Sequence, residues 1–164
     1  MSKNIKNNSK ENHLIQSDVS EIEVIYKRKV DFDKMSKITS PEDAVGCLRS
    51  CWTNGKMDHT EQFVVLYLNR SNRVLGWSSI SHGGQAGTVV DPKVIFQIAL
   101  KANAASIILS HNHPSGNINP SDNDKRITDK LVKVGELLEL SVLDHIILTS
   151  ESFLSFSNEG FISK

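Results

Sequence analysis

Residues 63–68 read FVVLYL, an unbroken apolar and aromatic run with polar residues on either side. A strand with one wet face alternates apolar and polar side chains, so a continuous β-branched and aromatic run predicts a strand buried on both faces. Such a strand belongs inside a sheet covered above and below, and helices are the usual cover. The sequence supplies them. Ser40-Pro41-Glu42-Asp43 offers a capping hydroxyl, a proline at the first helical position and an acid three residues after the cap. Ala44, Val45, Leu48 and Trp52 form that helix's apolar face, and Thr53-Asn54-Gly55-Lys56 ends it. Asn69-Arg70-Ser71-Asn72 turns the central strand into a second one over 74–80, after which Gly83, Gly84 and Gly87 loosen the chain. Asp91-Pro92 opens a helix that runs to about Asn103, with Val94, Ile95, Ile98 and Ala99 at helical spacing. A strand over 104–109, a helix from Ser121 to about Leu140 with Ile127, Leu131, Val134 and Leu138 on one face, and a strand over 142–148 complete the series. The alternation predicts one α/β domain, a sheet packed between helices.

Residues 1–20 are too polar to bury surface that offsets their ordering entropy, and are expected to form a flexible tail ahead of a domain over 21–164. That domain is expected to begin with a half-buried strand carrying Ile22, Val24 and Tyr26. Nineteen basic residues balance nineteen acidic ones, so no overall field favours phosphate backbones or anionic membranes. No apolar run approaches the ~20 residues that span a bilayer, which predicts a cytoplasmic protein without membrane attachment. Cys47 and Cys51 fall four apart on a helix, where they cannot easily reach disulfide geometry, and read as reduced core thiols.

The apolar strand over 104–109 leads straight into SHNHPSGNINPSDNDKR, residues 110–126. His111 and His113 are two apart, so on extended backbone both rings project to one side and can converge on one ion. Pro114 and Gly116 then turn the chain, and Asp124 stands in the first turn of the next helix, where its carboxylate can reach back as a third ligand. Three protein ligands with one position left for water is the usual arrangement of a catalytic zinc site. The same Asp124 also completes a capping box with Ser121, and on local pattern alone both readings stand.

The full pattern, H-x-H, seven residues, then S-x-x-D, running through His111, His113, Ser121 and Asp124, resembles the metal-binding motif of the JAB/MPN (JAMM) metalloproteases. The form HNHPSG with PSxxD following, and the later LDHIIL over 143–148, is similar to the RadC branch of that superfamily. The resemblance implies a JAB-type mixed sheet between helices, an architecture like that of cytidine deaminases. It implies one zinc ion per chain, with His111, His113 and Asp124 as ligands. It also implies a peptide or protein substrate cleaved at a peptide or isopeptide bond. Glu61, just before the central strand, matches the family's catalytic base, and Ser121 its donor to the oxyanion. His145 and Asp144 are expected to support the site or the core from a strand, and His82 to line the cleft at most. Asn112 stands where deubiquitinating members usually carry Ser or Thr, which weakens any carry-over of ubiquitin-like substrates from the resemblance. The helix-hairpin-helix region that precedes the domain in longer RadC proteins is not found in these residues, which removes the part best suited to DNA.

Three other functions compete with a metallopeptidase. The deaminase signatures H-x-E and P-C-x-x-C do not occur. A RadC-type DNA repair or recombination accessory role has Lys27, Arg28, Lys29, Lys34 and Lys37 in its favour, but balanced charge limits nucleic-acid binding to a weak interaction. A metal-free assembly scaffold does not account for the complete ligand set.

Overall fold

The FVVLYL run becomes the interior of β1 (Gln62–Leu68), buried at every position. It pairs antiparallel with β2 (Val74–His82) on one side and with β3 (Ser106–Asn112) on the other. β3 in turn pairs parallel with β4 (Ser141–Leu148), and β4 pairs antiparallel with the short β5 (Phe153–Ser155). The sheet is therefore mixed, in the order β2-β1-β3-β4-β5. Three helices, α1 (Pro41–Arg49), α2 (Pro92–Lys101) and α3 (Asp122–Leu137), accompany it. A parallel pair cannot be joined by a tight turn, and α3 supplies the crossover from β3 to β4. The computed structural model describes residues 25, 29–52, 55–83 and 90–162. The expected tail, the strand expected at Ile22, Val24 and Tyr26, and the basic Lys27 and Arg28 lie outside the described residues, as do Thr53, Asn54, Gly84 and Gly87. No helix among the described residues is long and apolar enough to cross a membrane.

Alternation along the strands sorts the core into two layers. Phe63, Val65, Tyr67, Ile107, Leu109 and Ile147 join Ile95, Phe96 and Ala99 of α2 and Leu131 of α3. Val64, Leu66, Leu68, Ile108, Ile146 and Leu148 join Ala44, Val45 and Leu48 of α1, with Trp52. The sheet thus has α1 on one face and α2 with α3 on the other. One irregularity in β4 decides which layer His145 enters. Ile107 lies opposite Val142 but Ile108 lies opposite Asp144, so Leu143 is an extra residue. Val142 faces the α2/α3 layer, and strict alternation would put Ile146 there too. The extra residue inverts the phase, so Ile146 faces α1 and His145 faces α3.

Several boundaries differ from expectation. α1 ends at Arg49, with Trp52 reaching the core from the turn beyond. On α2 the buried positions are Ile95, Phe96 and Ala99, while Val94 is exposed, a rotation of the apolar face by one residue. β3 continues to Asn112, so the first histidine of the motif is part of the sheet. α3 stops early: Glu139 adopts φ 53° and Leu140 N donates to Gly135 O at 2.8 Å. This turn buries Leu140 and leaves Leu138, expected on the core face, 40% exposed.

The turn also explains Gly135. A Cβ there would lie 2.4 Å from the carbonyl oxygen of Leu140, a backbone atom that cannot step aside. Gly135→Ala is expected to lower unfolding free energy by about 1–3 kcal/mol, the usual range for overpacking. Gly46→Ala in α1, where a Cβ meets nothing within 4 Å, is expected to raise it by about 0.5–1 kcal/mol through helix propensity. Denaturant titration of both variants checks the pair.

Candidate metal centre

The centre is built where β3 leaves the sheet. Phe63 of β1 pairs with His111 of β3, and the two rings stack with centroids 6.1 Å apart and planes within 5°. His111 is thereby buried on the α2/α3 face. His113 follows two residues on, its amide bonded to Leu148 O at 2.9 Å. The chain then turns at Gly116, whose φ of 79° suits glycine, and Gly116 N donates to His113 O at 3.1 Å. The turn brings Asn117 O to 2.5 Å from His113 Nδ1. A carbonyl oxygen only accepts, so Nδ1 of His113 carries the hydrogen and Nε2 presents a lone pair.

Asp124 meets these rings from the first turn of α3. Ser121 is the N-cap: its hydroxyl accepts from Asp124 N at 3.2 Å, and Asp124 Oδ2 accepts from Ser121 N at 2.7 Å and from Ser121 Oγ at 2.6 Å. Asp124 Oδ1 stands 3.4 Å from His111 Nε2. The two readings of Asp124 are therefore compatible, since Oδ2 completes the cap while Oδ1 faces His111.

His111 Nε2 and His113 Nε2 are 2.9 Å apart, and His113 Nε2 lies 3.8 Å from Asp124 Oδ2. Zinc bonds to nitrogen and oxygen of about 2.0–2.1 Å give a tetrahedron with edges of about 3.3 Å, which these separations bracket. Among the described residues, His111, His113 and Asp124 form the group able to hold a metal ion, with ligand atoms within 4.8 Å of one another. The donor set fits a zinc-type cation: two imidazoles and a carboxylate, each ring with its other nitrogen engaged, as orienting contacts of metal ligands require.

The surroundings carry two strong electrostatic effects. Burial of Asp124 pushes its carboxyl up, but the proximity of His111 and the cap bonds from Ser121 outweigh that and hold it well below the usual carboxylate range. His145 is fully buried against Phe63 and Phe156, and its loss of hydration, followed by the proximity of His111, holds it far below the ordinary histidine value.

Glu61 lies immediately before β1, half-buried, with its carbonyl bonded to Gly83 N at 2.9 Å. It is not a member of the converging group. The β1–β3 pairing ends at Phe63 and His111, which leaves Glu61 two residues before the last paired position of β1. What holds it there is Asn112, which in the sequence stands out only as a departure from related motifs. Its side chain is fully buried on the α1 face. Oδ1 accepts from Gln62 N at 2.8 Å and Trp52 Nε1 at 3.2 Å, while Nδ2 donates to Met57 O at 2.6 Å and Thr60 O at 2.9 Å. All four hydrogen-bonding positions of the amide are filled, fastening the segment that carries Glu61 to the metal-motif strand. A signal for this role exists in the sequence: an amide between two histidines points to the opposite face, where only backbone and Trp52 can satisfy it.

The other sequence candidates fall elsewhere. His82 pairs with Gln62 at the end of β2 and contacts Ser79 Oγ at 3.1 Å. Cys47 and Cys51 are free, half-buried thiols packed against the α1 layer, and burial pushes the Cys51 thiol up to about 11.

Residues 38–161 match the family described as "RadC-like JAB domain". A UPF0758 protein of Flavobacterium johnsoniae is 44% identical over 134 residues, 82% of this chain and 57% of that protein. Another, from Staphylococcus haemolyticus, is 39% identical over 131 residues, 80% and 56% of the two chains. A third, from Methanosarcina mazei, is 37% identical over 126 residues, 77% and 54%. The chain spans about half the length of the curated relatives it matches.

The two shifted groups predict the pH dependence of the metal-free chain. His145 is neutral when folded, so the unfolded state takes up its proton first. Its contribution is present above the unfolded value of ~6.5 and declines as pH falls below it, by up to about 1.4 kcal/mol per pH unit. Asp124, held low, contributes above the unfolded value of ~3.9 and is lost as pH falls further. Denaturant unfolding of chelator-treated protein between pH 7.5 and 4.5 should show stability falling with acidity, and His145→Phe should flatten the decline between pH 6.5 and 5.

Proposed function

We propose, from the premise that the chain belongs to the RadC-like JAB domain family, that it is a zinc-dependent peptidase acting on a peptide or isopeptide bond of a peptide or protein substrate. The observation that carries this reading is the convergence of His111 Nε2, His113 Nε2 and an Asp124 carboxylate oxygen on one point. Electron-pair donors gathered this closely in a half-buried place call for a cation among them. A zinc-type ion, when bound, acts as a Lewis acid and supplies a nucleophilic water at neutral pH. His111, His113 and Asp124 hold it. Glu61, on the segment that Asn112 fastens to β3, takes the proton of the attacking water and returns it to the leaving nitrogen. Ser121 donates a hydrogen bond to the oxyanion, for which its hydroxyl turns away from Asp124 Oδ2, its partner at 2.6 Å. Balanced charge leaves nucleic acid a weak ligand at most.

Two measurements test this. Protein purified without added metal is expected to contain zinc near one ion per chain, to lose it when His111 and His113 are both replaced by Ala, and to keep it in Glu61→Gln. Unchanged zinc in the double variant refutes the site. In a screen of peptides and isopeptide-linked conjugates, Glu61→Gln is expected to lower kcat about 100- to 10,000-fold with little change in KM, the signature of a lost general base. Normal turnover in that variant removes Glu61 from the mechanism.

A further inference from the structure

His111 has a second nitrogen, and a chain of hydrogen bonds leads away from it. Nδ1 of His111 is 2.8 Å from Nε2 of His145, and Nδ1 of His145 is 2.6 Å from Oγ1 of Thr128. Thr128 Oγ1 in turn donates to the backbone oxygen of Asp124 at 2.6 Å. All three side chains are buried: Thr128 is 1%, His145 0% and His111 1% exposed.

The far end of the chain fixes its direction. The oxygen of Asp124 can only accept, so the single hydroxyl hydrogen of Thr128 points to it. A lone pair of Oγ1 then faces His145 Nδ1, which must carry the hydrogen of that neutral ring. Nε2 of His145 is left as an acceptor, and His111 Nδ1 must donate to it. His111 Nε2 is consequently a lone pair, aimed at His113 Nε2 and Asp124 Oδ1. The relay begins on one proposed metal ligand and ends on another.

We infer that Thr128 and His145 are positioning residues for the metal: through this relay they select the tautomer of His111 whose Nε2 is free to bind the ion. The inference deepens the proposed function and rests on His111 Nε2 being a metal ligand. The irregularity in β4 belongs to it, because without the extra Leu143 the phase of the strand would turn His145 toward α1. Ring contacts complete the seat, with His145 against Phe63 at 5.5 Å and Phe156 at 4.7 Å between centroids.

Zinc affinity of the full chain, measured by competition with a chromophoric chelator, tests the relay. Thr128→Val keeps the shape but removes the hydroxyl. His145→Phe keeps a flat ring but offers His111 no acceptor. Each is expected to weaken zinc binding about 10- to 100-fold, the usual effect of removing an orienting partner of a metal-bound histidine. Thr128→Ser restores the hydroxyl and is expected to bind like wild type. Combining Thr128→Val with His145→Phe is expected to weaken binding no more than either alone, because one relay is broken once. Circular dichroism confirms folding of every variant, and Thr128→Ser keeps the test open if another fails to fold, since weakened binding in that folded variant counts against the relay. If wild type binds zinc, His111→Ala does not, and Thr128→Val binds like wild type, the relay is overturned while the metal site stands. Additive losses in the double variant overturn it as well. A folded wild type that binds no zinc overturns the proposed function and this inference together.

Discussion

The hydrogen-bond ladder between β1 and β3 is the constraint on which the rest depends. β3 is paired along both edges and covered on both faces, so neither its register nor the direction of its side chains can drift. At its end, successive residues must serve opposite sides of the sheet. His111 turns to the α2/α3 layer and stacks on Phe63, Asn112 turns to the α1 layer and binds the segment before β1, and His113 returns to the first side. One strand end thereby fixes two histidines and, through Asn112, the segment that carries Glu61. A slip of one residue would exchange the roles of all three.

Much of this was legible in the sequence because it follows from local rules. The β-branched and aromatic content of FVVLYL favours an interior strand, and its neighbours fell into place as cover and edges. The boundaries that escaped are those that tertiary contacts decide. The end of α3 is set by the close approach of Leu140 O to Gly135, which no periodicity reveals. The phase of β4 is set by one extra residue, and strict alternation from Val142 places His145 on the wrong face.

The candidate site was legible to a different degree. The pattern Ser-x-x-Asp occurs at the start of both α1 and α3, as Ser40 to Asp43 and Ser121 to Asp124, and both form capping boxes. Nothing local distinguishes them. Only the long-range approach of β3 gives Asp124 two histidines to face, while Asp43 remains exposed with Thr39 and Ser40 as partners. Thr128 escaped notice for the same reason. A threonine in mid-helix is an ordinary residue until a buried ring from another strand is set against it.

The shared carboxylate of Asp124 bears on how an ion would arrive and depart. In small zinc-dependent folds the ligands are scattered until the metal gathers them, so binding and folding are one event. Here the helix cap places Asp124 through Ser121, and the sheet places His111. The ordering entropy of those ligands is settled when the chain folds. Occupancy of the site becomes a separate equilibrium, governed by the concentration of free ion and the pace at which that ion sheds its own waters. Chelation of an ion held there would leave the scaffold standing, a reversible loss and recovery of occupancy without refolding.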